Sequence, residues 1–212
     1  TTHGFSRKVI DRALSFDFGE FFPNNFDEFS DFGEPQSRNK RLSYPIWSQA
    51  RKADLATTCD ANGLQTIAFL KAVNSVLKNT HFELAYRALN ELLLAVVSTQ
   101  PHDVRTLKAV WDDFMMCKVL PRIEGDSDKL STADGKEILV ELEVVLAEQL
   151  APIWPTDKNE NSNLRPDLYR EKVVAEGAKD EEKVLPIPCR SKAKLEWMKQ
   201  RLTSATFTSF WP

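Results

Sequence analysis

The stretch FELAYRALNELLLAVVS, Phe82–Ser98, decides the fold class. Its apolar residues surround most of a helical wheel, which predicts a helix buried on most sides. Such a helix needs neighbours, and the flanking sequence supplies them. LQTIAFLKAVNSVL (Leu64–Leu77) sets Leu64, Ile67, Ala68, Leu70, Val73, Val76 and Leu77 close to one stripe, with Asn62 as its cap and Gly63 loosening its entry. DVRTLKAVWDDFMMCKVL (Asp103–Leu120) predicts a further helix between Pro101 and Pro121. GKEILVELEVVLAEQL (Gly135–Leu150) predicts another, stopped by Pro152, and SKAKLEWMKQRLTS (Ser191–Ser204) a last one with Ser191 as N-cap. The expected fold class is mainly α, a helical bundle.

Two stretches interrupt this pattern. Residues 19–46 begin acidic and phenylalanine-rich, then turn basic and polar, and residues 152–190 are rich in Pro, Asn, Lys and Glu. Both read as connections or insertions rather than core. Upstream, THGFSRKVIDRALSFDF (Thr2–Phe18) joins a short basic helix to LSFDF, where Leu14, Phe16 and Phe18 alternate with Ser15 and Asp17 as in a strand. A lone strand is not stable, so this one is expected to belong to a sheet completed by residues upstream of the chain. The expected organisation is therefore 1–18 as the end of one subdomain, 19–46 as linker, 47–151 as helical body, 152–190 as insertion, and 191–212 as closing helix and tail.

Bulk properties exclude several function classes. A formal net charge of −3 gives no overall case for wrapping nucleic acid, although Arg38, Lys40, Arg41, Arg51 and Lys52 form a local basic cluster. The three cysteines (Cys59, Cys117, Cys189) are odd in number and far apart, which points to a reducing, cytoplasmic setting. The longest strongly apolar run, Leu92–Val97, is too short to span a bilayer. The three histidines show no metal-ligand spacing with one another or with the cysteines, so no metal site is expected. There is no GxxxxGK[ST] phosphate loop, no dinucleotide glycine motif and no GxSxG elbow, which disfavours a self-contained enzyme.

Four stretches in order carry a family resemblance. FSRKVIDRA with the alternating segment after it resembles the end of the large subdomain of an AAA+ ATPase. FELAYRALNEL resembles the second-sensor helix, with an aromatic before an arginine and a glutamate four residues beyond. DDFMMCKVLPRIEGD resembles the next helix with its Lys-hydrophobic-Leu-Pro-basic signature, and KLEWMKQRLTSATFTSFWP resembles the closing helix and tail. Together they resemble the McrB-type AAA+ NTPases, motor subunits of modification-dependent restriction systems. The resemblance implies the C-terminal region of such a protein: a remnant helix and strand of the α/β nucleotide-binding core, then the helical lid. It implies ATP or GTP with Mg2+ as ligand of the complete protein, other copies in a ring as partners, and a McrC-type nuclease subunit. DNA would be met through domains outside this chain.

The resemblance also assigns residues. Arg12 takes the place of a trans arginine finger, stabilising charge on the transferred phosphoryl of a neighbouring subunit. Its plain alternative is a surface pair with Asp11 or Asp17, worth little; Arg7 and Lys8 stand second in line. Arg87 takes the place of the second sensor with Glu91 in support; Tyr86 before it is expected to pack in the bundle, with a place lining the nucleotide's base pocket as the alternative. An arginine within an apolar helix is costly unless its charge is used or paired, and intrahelical pairing with Glu91 or Glu83 is the alternative. Two rival classes are a helical interaction module whose arginines only form salt bridges, and a helical DNA-binding domain using the basic cluster.

Overall fold

A computed structural model describes residues 7–10, 12–16, 37–41, 48–155 and 163–211. The phenylalanine-rich loop 19–35, Asp11 and Asp17–Phe18 lie outside the described residues. The chain runs α1 (Arg7–Ile10), β1 (Ser37–Asn39), α2 (Lys52–Leu55), α3 (Leu64–Leu77), α4 (Tyr86–Thr99) and α5 (Val104–Phe114). A π-helical turn (Met115–Val119), a 3-10 turn (Leu120–Arg122) and β2 (Glu124–Asp126) follow. Then come α6 (Ile138–Gln149), β3 (Arg165–Lys172), β4 (Val184–Ile187), α7 (Arg190–Ala205) and β5 (Phe207–Ser209). The architecture is mixed rather than a pure helical bundle: about half of the described residues are helical, joined by two small antiparallel sheets, β1-β3-β4 and β2-β5. Among the described residues no helix is long and apolar enough to cross a membrane.

The core is the meeting of α3 to α7. Phe69, Val73 and Leu77 on α3, Leu92 and Val96 on α4, Leu107 and Trp111 on α5, Leu142 and Leu146 on α6, and Leu195 and Met198 on α7 are buried together. Phe69 stacks on Trp111 with ring centroids 4.6 Å apart, and the Trp111 indole N–H donates to Thr66 Oγ1 at 3.3 Å. α3 keeps its expected bounds. Asn62 Oδ1 accepts the Leu64 N–H as a cap should, but the buried Asp60 carboxylate does more, accepting the N–H groups of Gln65 (3.1 Å) and Thr66 (2.8 Å).

Three expectations change. α4 begins at Tyr86 rather than Phe82, because the Asn74 side chain on α3 takes both backbone groups of Leu84: its Oδ1 accepts the N–H at 2.7 Å and its Nδ2 donates to the C=O at 3.3 Å. Leu84 is thus held out of the helix, with Phe82 and Leu84 buried and Glu83 exposed in alternation. Ala13–Phe16, whose expected sheet partners lie upstream of the chain, pairs with no strand among the described residues and docks on the π-helical turn, with Ser15 N–H donated to Cys117 O at 2.9 Å. Residues 152–190 are not peripheral, since Ile153, Trp154, Arg165, Leu168 and Cys189 are buried and β3 packs on α5. Part of the 19–46 linker also joins the fold, as β1 pairs with β3.

The two signature stretches at the ends of the helical body pair with each other. Glu124, Gly125 and Asp126 of PRIEGD face Ser209, Thr208 and Phe207 of FTSFW across the β2-β5 ladder. Thr208 and Phe210 are buried, so the aromatic tail docks on its own chain, against α7. Gly125 has φ +151, and a Cβ there would lie 2.7 Å from Lys129 Cδ and 2.9 Å from Lys129 Cβ. Glycine is required at that crossing.

Candidate functional site

Arg87 occupies the second residue of α4, on an uncapped first turn: Ala85 stands at the N-cap position without a side-chain acceptor, and the turn holds no acidic residue. The arginine is exposed, and Tyr86 before it is 71% exposed. This corrects both the premise that Arg87 sits inside an apolar helix and the expectation that Tyr86 packs in the bundle. It also removes the intrahelical pair. Glu91 forms its ion pair with Lys118 at 2.7 Å, and Glu83 Oε2 accepts the Asn79 N–H. Among the described residues Arg87 has no ion pair.

A cation in the first turn opposes the helix dipole, by about 0.3–1 kcal/mol at a surface site. Local stability therefore does not account for Arg87. Its guanidinium and the positive end of that helix carry the same sign, and together they suit an anion; within the turn, the Ala88 N–H is already donated to Ala85 O at 2.9 Å. Arg12 is exposed as well. Its N–H donates to Val9 O at 3.0 Å, closing the turn after α1, and α1 packs on the Leu120–Arg122 turn. Asp11 and Asp17, the local partners considered for Arg12, lie outside the described residues.

Lys118 contacts the elements that carry both arginines. It is only 3% exposed, in the π-helical turn, and its Nζ pairs with Glu91 on α4 and donates to Ala13 O at 3.2 Å. The adjacent Cys117 carbonyl is available to Ser15 for a reason readable in the chain. Pro121, four residues later, brings no N–H to it. Burial pushes the Cys117 thiol up to about 12, so it is not a nucleophile at neutral pH.

A second charged group is largely internal, with Arg170 at its half-buried edge. On α5, Asp112 and Asp113 meet Arg165 from β3 and Arg190 from the first turn of α7. Arg165 Nη1 donates to Asp112 Oδ2 at 2.9 Å and to Ala109 O at 2.7 Å, and Nη2 to Asp113 Oδ1 at 2.7 Å. Arg190 Nη1 donates to Asp113 Oδ1 at 3.1 Å and its Nη2 to Asp167 Oδ2 at 3.4 Å, while Arg170 Nε donates to Asp167 Oδ2 at 2.8 Å. Asp112 also caps α7, its Oδ2 accepting the Arg190 N–H (3.0 Å) and its Oδ1 the Ser191 N–H (2.9 Å). Three carboxylates against three guanidiniums leave no net charge. Burial raises the Asp113 carboxyl against the pull of the two guanidiniums; Asp167 is also raised by burial, but the Tyr169 N–H and Arg170 outweigh that and hold it below the ordinary range. Every member faces another member, so the cluster is a fastener joining β3, α5 and α7. The adjacent Asp-Asp in an apolar helix was the signal that could have announced it, since buried carboxylates require cations.

In the basic cluster Arg38, Arg41, Arg51 and Lys52 are exposed, and Lys40 is half-buried. Lys40 Nζ donates to Asp167 O at 2.9 Å, and Arg38 sits in β1 opposite Glu171. Among the described residues no group of His, Cys, Asp and Glu could hold a metal ion.

The fold and these sites define a helical protein with small antiparallel sheets, held by an internal charge cluster. Residues 47–207, more than half of the chain, match the family described as Domain of unknown function (DUF8727), and the chain belongs to that family. The matched range takes in the helical body, the 152–190 segment and α7. No curated protein and no solved structure matches the chain.

Proposed function

We propose that this chain is the lid-bearing C-terminal region of a McrB-type AAA+ nucleoside triphosphatase, in which Arg87 acts as the second sensor on the nucleotide of its own subunit. The observation that carries the reading is the first turn of α4. Arg87 is exposed there on an uncapped, acid-free helix start, and its expected neutraliser Glu91 is engaged by Lys118. That is the arrangement an anionic γ-phosphate calls for. Tyr86, exposed beside it, is positioned to meet the base or ribose. The reading requires a phosphate loop and Mg2+ ligands upstream of Thr1. It keeps Arg12 as the trans finger, other copies in a ring, and a McrC-type nuclease as the machine driven by ATP or GTP hydrolysis.

The test is Arg87→Ala and Arg87→Lys in the intact protein, with hydrolysis rates and thermal melts on the same preparations. The proposal expects a kcat reduction of at least tenfold in both, because lysine does not reproduce the planar fork, with melting temperatures unchanged or slightly raised. A wild-type rate in Arg87→Ala removes the sensor role.

A further inference from the structure

We propose that Lys118 is a positioning residue that couples the Arg12 segment to the Arg87 helix, so that the two arginines are set as a unit. The inference rests on the functional reading above for its catalytic consequence, and on geometry alone for the coupling itself. A lysine 3% exposed is a poor choice for stability, because a desolvated ammonium is tolerated only when its partners are well placed. Here the partners come from two separate elements. Glu91 lies four residues after Arg87, one turn along the same helix, and Ala13 directly follows Arg12. One ammonium therefore touches the element of each arginine.

The surrounding backbone supports the same junction. Lys118 sits in a π-helical turn, a departure from α geometry that is frequent at functional sites. The Pro121-orphaned carbonyl of Cys117 receives Ser15 N–H, so the Ala13–Phe16 segment is held at two points, one polar side chain and one main-chain bond. Lys118 links this segment to α4 through Ala13 O and Glu91. A movement of α4, as when Arg87 engages a charged ligand, pulls on Glu91, and Lys118 passes the pull to Ala13 and thus to Arg12. A Met of similar length would pack the same space but transmit nothing.

The experiment has a nucleotide-independent arm and a catalytic arm. Amide hydrogen exchange at Ser15 is measured in wild type, Lys118→Met and Glu91→Gln, with core amides of α6 as reference for global stability. Loss of a charge-assisted hydrogen bond accelerates exchange at Ser15 by roughly tenfold or more over the α6 reference in Lys118→Met, and to a smaller degree in Glu91→Gln. Glu91 is 27% exposed, so its variant reports even where Lys118→Met folds poorly. In the intact protein the proposal expects Glu91→Gln and Lys118→Met to lower kcat with KM within twofold of wild type, and Arg87→Ala to add little in the Lys118→Met background. Unchanged Ser15 exchange in both variants overturns the coupling whatever the nucleotide chemistry. Faster exchange with full kcat overturns its catalytic role. A wild-type intact protein that hydrolyses no nucleotide overturns the functional reading instead, and is told apart because the exchange arm is unaffected by it.

Discussion

Replacing Arg165 with Met strands two buried carboxylates. Arg165 is fully buried and supplies three of the hydrogen bonds in the internal cluster, to Asp112, Asp113 and Ala109 O. Without it Asp113 keeps Arg190 at 3.1 Å, and Asp112 keeps the N–H groups at the start of α7. Breaking a buried pair from one side costs about 3–5 kcal/mol. For a domain of this size that corresponds to a drop in Tm of roughly 6–20 °C. The deficit should also depend on pH. In the variant Asp113 loses a guanidinium while its burial remains, so its folded pKa rises further above the unfolded one. A raised folded pKa means that the native state binds protons more readily, so the deficit is largest at pH 7 and shrinks as pH falls toward 4. Arg165→Met with Asp113→Leu should recover part of the loss, because both the cation and its stranded partner are then gone. Urea melts at several pH values measure all of this. A loss under about 1 kcal/mol that is flat with pH refutes the cluster as a fastener.

Two further outcomes follow from single sites. Gly125→Ala forces a side chain into the Lys129 stem at a positive-φ crossing, and thermal melts should show a loss of about 1–3 kcal/mol; an unchanged Tm contradicts the close β2-β5 approach. Lys108, half-buried on α5 with its Nζ 4.0 Å from the Trp111 ring centroid, is pushed down to about 8 by burial, with Asp60 opposing. Its native form sheds a proton that the unfolded chain keeps up to the ordinary lysine range, so its contribution to stability rises with pH from about 8 upward. NMR of 13C-methylated lysines should show one signal titrating near there that vanishes in Lys108→Arg.

The helices were legible because their burial is apolar and periodic: α3 coincides with Leu64–Leu77, and Asp103 caps α5 with its side chain accepting the Thr106 N–H at 2.9 Å. What escaped reading was burial of charge. In β3 the inward residues include Arg165 and Asp167, so a strand that packs on α5 reads as a polar connection when polarity is taken to mean solvent. The start of α4 escaped for a different reason. Asn74 of another helix overrides the helical preference of Phe82–Leu84, and no local pattern reports a clasp between segments ten residues apart. That shift matters for the site, since it moves Arg87 from the interior of a helix to its exposed start. Lys118 was visible as a residue in KVLPR, but its burial and its two partners exist only once Ala13 and Glu91 are brought to it.

The most direct test is a structure of the intact protein with a non-hydrolysable nucleoside triphosphate and Mg2+. The account predicts the Arg87 guanidinium within about 3 Å of a γ-phosphate oxygen, with Lys118 still bridging Glu91 and Ala13. A nucleotide bound with Arg87 pointing to solvent, and no contact from the first turn of α4, contradicts it.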